Sequence, residues 1–305
     1  MQLINKLVTG MMPVMPRAFV GRVASRYIAG EKLQDAISLT RRLNGQGAVA
    51  TIDLLGEHSA NAEQVKAAVT SYIDTLNAIQ QERLDANVSL KPTHLGLKLG
   101  YQFCLERVTE IVSRAAELGN FVRIDMEDHT CTDDTFRLFF DLRKRFDNVG
   151  VVIQAYLRRT LNDIKPLIEA RANLRLCKGI YNEPRLIAYK NRAVIIDNYA
   201  LILEELLKAG CYVGIATHCE ETIWHARRII HQMGLSDDRY EFQMLLGVEP
   251  ELRRILIGEG HKLRVYIPYG LEWYSYSSRR LKENPSIAGY VMRDFFGMSK
   301  LDEKG

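Results

Sequence analysis

Short apolar runs rich in Val and Ile recur along the chain, and between them lie longer stretches in which apolar residues return every three or four positions. The first pattern predicts strands buried on both faces and the second predicts amphipathic helices. The predicted strands are Ala50–Leu55, Asn87–Lys91, Phe121–Asp125, Val149–Gln154, Leu174–Lys178, Cys211–His218, Tyr240–Leu245 and Leu263–Ile267. Helices are clearest over Glu63–Ile79 and Asp197–Ala209, and Gly119 and Gly210 stand where helices end in a left-handed residue. Eight strands, each followed by a helix, are the count of a (β/α)8 barrel, so the expected fold is an α/β, TIM-like barrel. A doubly wound sheet is the alternative. It would bring a phosphate loop, and the chain contains neither G-x-G-x-x-G nor a Walker A pattern.

A chain of 305 residues is long enough for one such barrel. We expect an N-terminal helical segment over residues 1–45 packed on a catalytic barrel over 46–305. A net charge of +4, dispersed and without a basic tract interleaved with aromatics, argues against a nucleic-acid partner. The five cysteines are scattered, form no C-x-x-C, and suit a reducing, cytoplasmic setting better than a disulfide framework or a structural zinc site. No apolar run approaches the ~20 residues of a membrane span. Residues 1–30 carry Lys6, Arg17, Arg22 and Arg26 with no acid before Glu31. That fits a plain helix packed on the barrel, the simplest reading, a transit peptide, or a segment that touches anionic lipid at the inner face of a membrane.

Polar residues cluster where the strands end, which is where a barrel enzyme keeps its active site. In order they are Glu57, Lys91, Asp125, Gln154, Arg175 with Lys178, Thr217 with His218, Gln243 and Tyr266. After the last strand, Pro268 and Gly270 turn the chain into a predicted helix that stops near Pro285. On it Tyr276, Arg279, Arg280 and Glu283 share one face. Adjacent guanidiniums suit a planar carboxylate between them, although a solvated pair on a surface helix is the simpler alternative.

The order of these motifs resembles the proline dehydrogenase family. The resemblance runs through Asp53-Leu-Leu-Gly-Glu57, Ser89-Leu-Lys91 with Leu95-Gly96, Ile124-Asp-Met-Glu127, Gln154-Ala-Tyr156 and Arg175-Leu-Cys-Lys-Gly-Ile-Tyr181. It continues through Ala216-Thr-His218, Glu241-Phe-Gln243, Tyr266-Ile-Pro268 and Tyr276 to Asn284. Each motif is weak alone; their order and spacing are specific. The family implies FAD held noncovalently at the barrel mouth, and oxidation of L-proline to Δ1-pyrroline-5-carboxylate by hydride transfer to flavin N5. It also implies a membrane quinone as electron acceptor and a separate pyrroline-5-carboxylate dehydrogenase for the next step.

Carried over residue by residue, the resemblance gives Lys91, Arg279 and Arg280 to the substrate carboxylate and Tyr266, Tyr276, Tyr181 and Leu176 to the wall around the pyrrolidine ring. A tyrosine at 276 goes with preference for proline over 4-hydroxyproline. Asp125 balances and positions the cations. Arg175 faces flavin N5, while Met126, Gln154, Lys178, Gly179, Ile180, Thr217 and His218 map to further flavin contacts. Glu57 and Arg279 form a gate over the substrate. Pro92 and Cys177 depart from the usual aliphatic residues without touching a mapped role. No metal is expected. Asp125, Glu127, Asp128 and His129 could still be read as ligands, and a metal-dependent barrel hydrolase or lyase acting on a small amino or hydroxy acid is the runner-up. A non-catalytic barrel that senses an amino acid is a third reading.

Overall fold

The computed structural model describes residues 26–274 and Ser277. Its eight strands are β1 (Val49–Leu54), β2 (Ala86–Leu90), β3 (Val122–Ile124), β4 (Val149–Gln154), β5 (Asn173–Cys177), β6 (Tyr212–Ala216), β7 (Tyr240–Leu245) and β8 (Leu263–Tyr269). Each pairs in parallel with the next, and β8 closes on β1, giving the expected (β/α)8 barrel. The described helices are α1 (Leu33–Gly45), α2 (Ala62–Gln81), α3 (Tyr101–Glu117), α4 (Thr132–Arg143), α5 (Thr160–Glu169), α6 (Arg192–Lys208), α7 (Glu220–Met233) and α8 (Pro250–Gly258). A single 3-10 turn at His129–Cys131 precedes α4.

Local chemistry sets the helix ends. The Asn61 side chain accepts the Gln64 amide at 3.0 Å and starts α2, and Asn191 does the same for α6. That cap is why α6 begins at Arg192 instead of the expected Asp197. Gly119 and Gly210 follow the ends of α3 and α6 with φ of 63° and 83°, a conformation that favours glycine.

The strands are two-sided in a particular way. Their outward residues, such as Ile52, Val88, Ile124, Val151, Ile215 and Val265, are fully buried against the helices. The alternate, inward positions are mostly polar or small, among them Thr51, Asp53, Ser89, Arg123, Arg175, Gly214, Glu241, Gln243 and Arg264, with Val152 an apolar exception. The hydrophobic core is therefore the layer between barrel and helices, and the lumen is a hydrogen-bonded interior.

α1 packs on β1 and β8, so it fills the outer position between the last strand and the first. Just before it the chain pairs along the end of β8, with Ala29 N donating to Pro268 O at 2.9 Å and Gly270 N to Gly30 O at 3.0 Å. Beyond β8 the Trp273 ring joins Ile28 and Leu55 in a small apolar cluster, and its indole N–H reaches Glu31 at 2.7 Å. The sequence after β8 thus starts at the C-terminal end of the barrel. Residues 1–25 of the expected N-terminal segment, and the expected helix carrying Tyr276, Arg279 and Arg280, lie outside the described residues.

Candidate active site

Strand alternation delivers the ionic residues to the lumen near the C-terminal strand ends. Lys91, one residue past β2, reaches across to Asp53 on β1 and bonds both carboxylate oxygens, at 2.8 and 2.9 Å. Both side chains are buried. Burial raises the Asp53 carboxyl to about 6 against the pull of Lys91. That is still below neutrality, so the pair stands as carboxylate and ammonium. Burial alone would lower the Lys91 ammonium; Asp53, then Asp125 and Glu57, raise it above the ordinary lysine value. An ammonium has three donors, and Asp53 takes two of them.

The second pair lies beside the first. Arg175 Nη1 donates to Asp125 Oδ1 at 2.6 Å, and Arg175 Nε donates to Gln243 Oε1 at 2.6 Å. The Ser89 hydroxyl donates to the same Asp125 oxygen at 2.6 Å, and the Tyr266 hydroxyl donates to Oδ2 at 2.8 Å. The guanidinium also stands over the Tyr266 ring, 5.2 Å from its centre. Burial pushes the Asp125 carboxyl up, but Arg175 and then Lys91, with the Ser89 and Tyr266 hydrogen bonds, hold it below the usual carboxylate range. Among the described residues, Arg175 Nη2 has no protein acceptor.

Around this cluster the loops are tied to one another. Thr93 donates its amide to Glu127 Oε2 at 2.9 Å and its hydroxyl to Glu127 Oε1. Its hydroxyl and carbonyl oxygens accept the amides of His58 and Ser59, at 3.2 Å each. The loop carrying half-buried Glu57 is thereby strapped to the loop after β2. His94 lies under it: a Cβ on Gly56 would sit 2.2 Å from His94 Nε2. Burial, then Lys91, lowers the His94 imidazole to about 4. On the other side the buried Glu183 takes the His129 amide at 2.8 Å and contacts His129 Nδ1, binding the loop after β5 to the turn after β3.

The remaining expected residues are placed as follows. Gln154 is buried at the end of β4, and its Oε1 has no donor among the described residues. Gly179, with φ of 103°, presses on the Tyr156 ring; a Cβ there would lie 2.1 Å from Tyr156 Cδ1. Lys178, Ile180 and Tyr181 are half-buried beside it, and the Lys178 carbonyl accepts the Tyr156 amide at 2.8 Å. Met126 and Thr217 are buried. His218 Nε2 accepts the Leu245 amide at 2.7 Å, which fixes the ring to β7 with its proton on Nδ1. Leu176 is fully buried, and alternation on β5 turns it to the face opposite Arg175, so the structure does not bring it into the ionic cluster. Asp125, Glu127, Asp128 and His129 do not converge: each is committed to a separate partner, namely Arg175, Thr93, Thr130 and Glu183.

Sequence reasoning missed Asp53 as the counterion of Lys91, Ser89 as a donor to Asp125, and Glu241 and Arg264 beneath Gln243. A signal was there: each lies two residues from a polar lumen position within an otherwise apolar strand.

A closed (β/α)8 barrel with buried, ion-paired Lys, Arg and Asp side chains at the C-terminal ends of its strands has the construction of an enzyme. The chain belongs to the proline dehydrogenase family, whose sequence model, described as "Proline dehydrogenase", matches residues 36–293. It is 37% identical over 293 residues to proline dehydrogenase 2 of Bacillus subtilis (strain 168), covering 96% of each chain. It is 36% identical over 284 residues to proline dehydrogenase of Deinococcus radiodurans, covering 92% of each. Among solved structures it resembles proline utilization A from Bdellovibrio bacteriovorus inactivated by N-propargylglycine, with a TM-score of 0.81 and 23% identity. That match spans 91% of this chain and 34% of the other, and at such identity it shows the fold. Family membership makes the protein an enzyme that oxidises proline.

Proposed function

We propose that the protein is an FAD-dependent dehydrogenase that converts L-proline to Δ1-pyrroline-5-carboxylate at the barrel mouth and passes electrons to a membrane quinone. One observation carries the reading: Lys91 and Arg175 are both buried and ion-paired, yet each keeps a donor that the described residues do not use. A buried cation with a spare N–H is arranged for an anionic or electron-rich partner from outside the chain.

The residues present fit a flavin. The orphaned Gln154 Oε1 is an acceptor that needs an N–H donor. Met126, Gln154, Lys178, Gly179, Ile180, Thr217 and His218 would hold the cofactor. When bound, FAD supplies a two-electron acceptor whose N5 takes hydride from the substrate's ring carbon.

The chain's own contribution is positioning and charge. Lys91, with Arg279 and Arg280 from beyond the described residues, holds the proline carboxylate, and Glu57 with Arg279 closes the entrance. Tyr266 and Tyr181, with Tyr276 from beyond the described residues, pack the ring, while Leu176 stays in the layer behind the barrel wall. Arg175 presents a fixed positive charge for the electron density that builds up during oxidation, and Asp125 keeps it in place. The substrate amine must be neutral to release hydride, so the rate rises with pH through its titration. A Tyr276→Ser change is expected to narrow the discrimination against 4-hydroxyproline, read as the ratio of kcat/KM values for the two substrates.

The setting we propose is cytoplasmic, with the basic N-terminal segment resting on anionic lipid and a separate dehydrogenase consuming the product. Among the described residues no helix is long and apolar enough to cross a membrane. Removing residues 1–30 should abolish liposome binding and leave dye-coupled activity intact.

The deciding experiment strips the protein of bound cofactor, assays proline-dependent dye reduction and traps the product with o-aminobenzaldehyde. Activity restored by FAD, with pyrroline-5-carboxylate as product, supports the reading. Activity that needs a divalent cation and no flavin overturns it in favour of the metal-dependent barrel.

A further inference from the structure

We propose that Glu241 is a positioning residue that fixes the orientation of the Gln243 amide and, through it, the guanidinium of Arg175. Gln243 stands between two groups of opposite demand. Its Oε1 accepts Arg175 Nε at 2.6 Å, and its Nε2 donates to Glu241 Oε1 at 2.6 Å. A flipped amide would set NH2 against the guanidinium and C=O against the carboxylate, losing both bonds and creating two repulsions. The orientation is therefore dictated from below. Glu241 is buried and receives Arg264 Nε at 2.6 Å and Nη2 at 3.1 Å. Burial alone would raise its carboxyl, but Arg264 holds it down to about 2, so the anchor is anionic at neutral pH. The neighbouring strand is shaped to match: a Cβ on Gly214 would fall 2.3 Å from Gln243 Nε2, so only glycine leaves room for the amide.

The catalytic consequence rests on the proposed role of Arg175 at the flavin; the geometric claim does not. Losing the anchor frees the Gln243 amide to turn, and the guanidinium then keeps only its bonds to Asp125 and Ser89.

The test exploits the symmetry of a carboxylate. Replacing the ion pair with apolar residues, Glu241→Leu with Arg264→Met, removes the anchor without leaving a buried lone charge. In this background Gln243→Glu should repair the site, because either oxygen of a carboxylate accepts Arg175 Nε and no orientation is needed. With Glu241 present, the same Gln243→Glu change places two carboxylates in contact and should be harmful. The first readout is water exchange of the Arg175 Nε–H signal by NMR in the cofactor-free protein, assigned with Arg175→Lys. The second is kcat with proline.

We expect the signal to be protected in the wild type, lost in the double variant together with roughly a 10- to 100-fold fall in kcat, and recovered in the triple variant. Gly214→Ala, which leaves the ion pair in place and displaces the amide, should reproduce the loss if the double variant fails to fold. An Nε–H signal equally protected in all variants, or a Gln243→Glu effect of the same sign in both backgrounds, overturns the proposal. If the wild type does not oxidise proline with FAD, the proposed function falls and the exchange measurement still decides the positioning.

Discussion

At the base of the barrel, every nitrogen of the Arg264 head has an acceptor in the chain: Glu241 takes Nε and Nη2, while Ala50 O and Asn87 Oδ1 take Nη1. At the mouth, Arg175 has Gln243 on Nε, Asp125 and Ser89 on Nη1 and, among the described residues, no partner on Nη2; Lys91 gives two of three donors to Asp53. The residue types and the degree of burial are alike. What separates the two ends is whether the hydrogen-bonding capacity is closed within the chain. A closed network holds structure together; an open one, kept buried beside its own counterions, is held ready for a ligand. Arg123 is the exception at the base. It bonds Val151 O, Asn173 O and Asn173 Oδ1 and stacks on Phe121, yet among the described residues its Nε has no acceptor and no carboxylate pairs with it. Burial, with Arg175 and Arg264 nearby, lowers its guanidinium to about 9.

The comparison breaks first at Arg175. Arg175→Met should cut kcat with proline by roughly 100- to 1,000-fold, the scale of losing one preorganised electrostatic contact. It should change melting temperature little, because Ser89 and Tyr266 still satisfy Asp125. A fall in stability as large as the fall in rate would place Arg175 with the structural charges. Next is the single change Arg264→Met, which removes the close ion-pair partner of buried Glu241, leaving it Gln243 and a half-exposed Lys262 at 3.7 Å, and should destabilise by about 3–5 kcal/mol in denaturant titration. Glu241→Leu with Arg264→Met should recover most of that stability without recovering kcat.

Lys91→Met sharpens the same contrast. Alone it strands Asp53, so it costs stability and proline binding together. Paired with Asp53→Asn it should regain the fold while KM for proline stays raised, and a normal KM in the pair would remove Lys91 from the substrate site.

The smallest expected effect concerns the loop over the mouth. His94 is half-buried, with its imidazole lowered to about 4. The fold therefore favours the neutral ring, and its contribution is full above the unfolded value near 6.5 and lost as pH falls toward 4. Protonation of His94 under Gly56 should loosen the strap around His58 and Ser59. Hydrogen exchange of residues 55–60 should accelerate between pH 6 and 4 in the wild type and lose that dependence in His94→Gln.

Much of the barrel could be read before the structure, because its strands are the β-branched runs and parallel strands buried on both faces leave that trace. Their ends differ from expectation by only a few residues; β3 stops at Ile124 and β6 at Ala216. The residues at the strand ends were legible for the same reason: Lys91, Asp125, Gln154 and Arg175 break apolar runs at a predictable height. The pairing of charges was not. Asp125 was expected to balance lysine and arginine together, whereas β1 supplies a second carboxylate, Asp53, and divides the cations between them. That division depends on barrel closure, which sets Asp53 in register with Ser89 on one side and Pro268 on the other. Contacts such as Arg175 to Gln243 join residues far apart in the chain, and local periodicity says nothing about them. The polar positions Ser89, Glu241 and Arg264 were visible as period-two interruptions, but they sit below the strand ends, where no ligand was sought.

The central claim is that the open charges at the mouth serve proline oxidation through a bound flavin. Its most direct test is the absorbance spectrum of the FAD-loaded protein, taken anaerobically before and after L-proline, for the wild type and Arg175→Met. The account predicts an oxidised flavin spectrum that bleaches rapidly in the wild type and far more slowly in the variant. A flavin that stays oxidised in the wild type, or that bleaches at the same rate in both proteins, would contradict it.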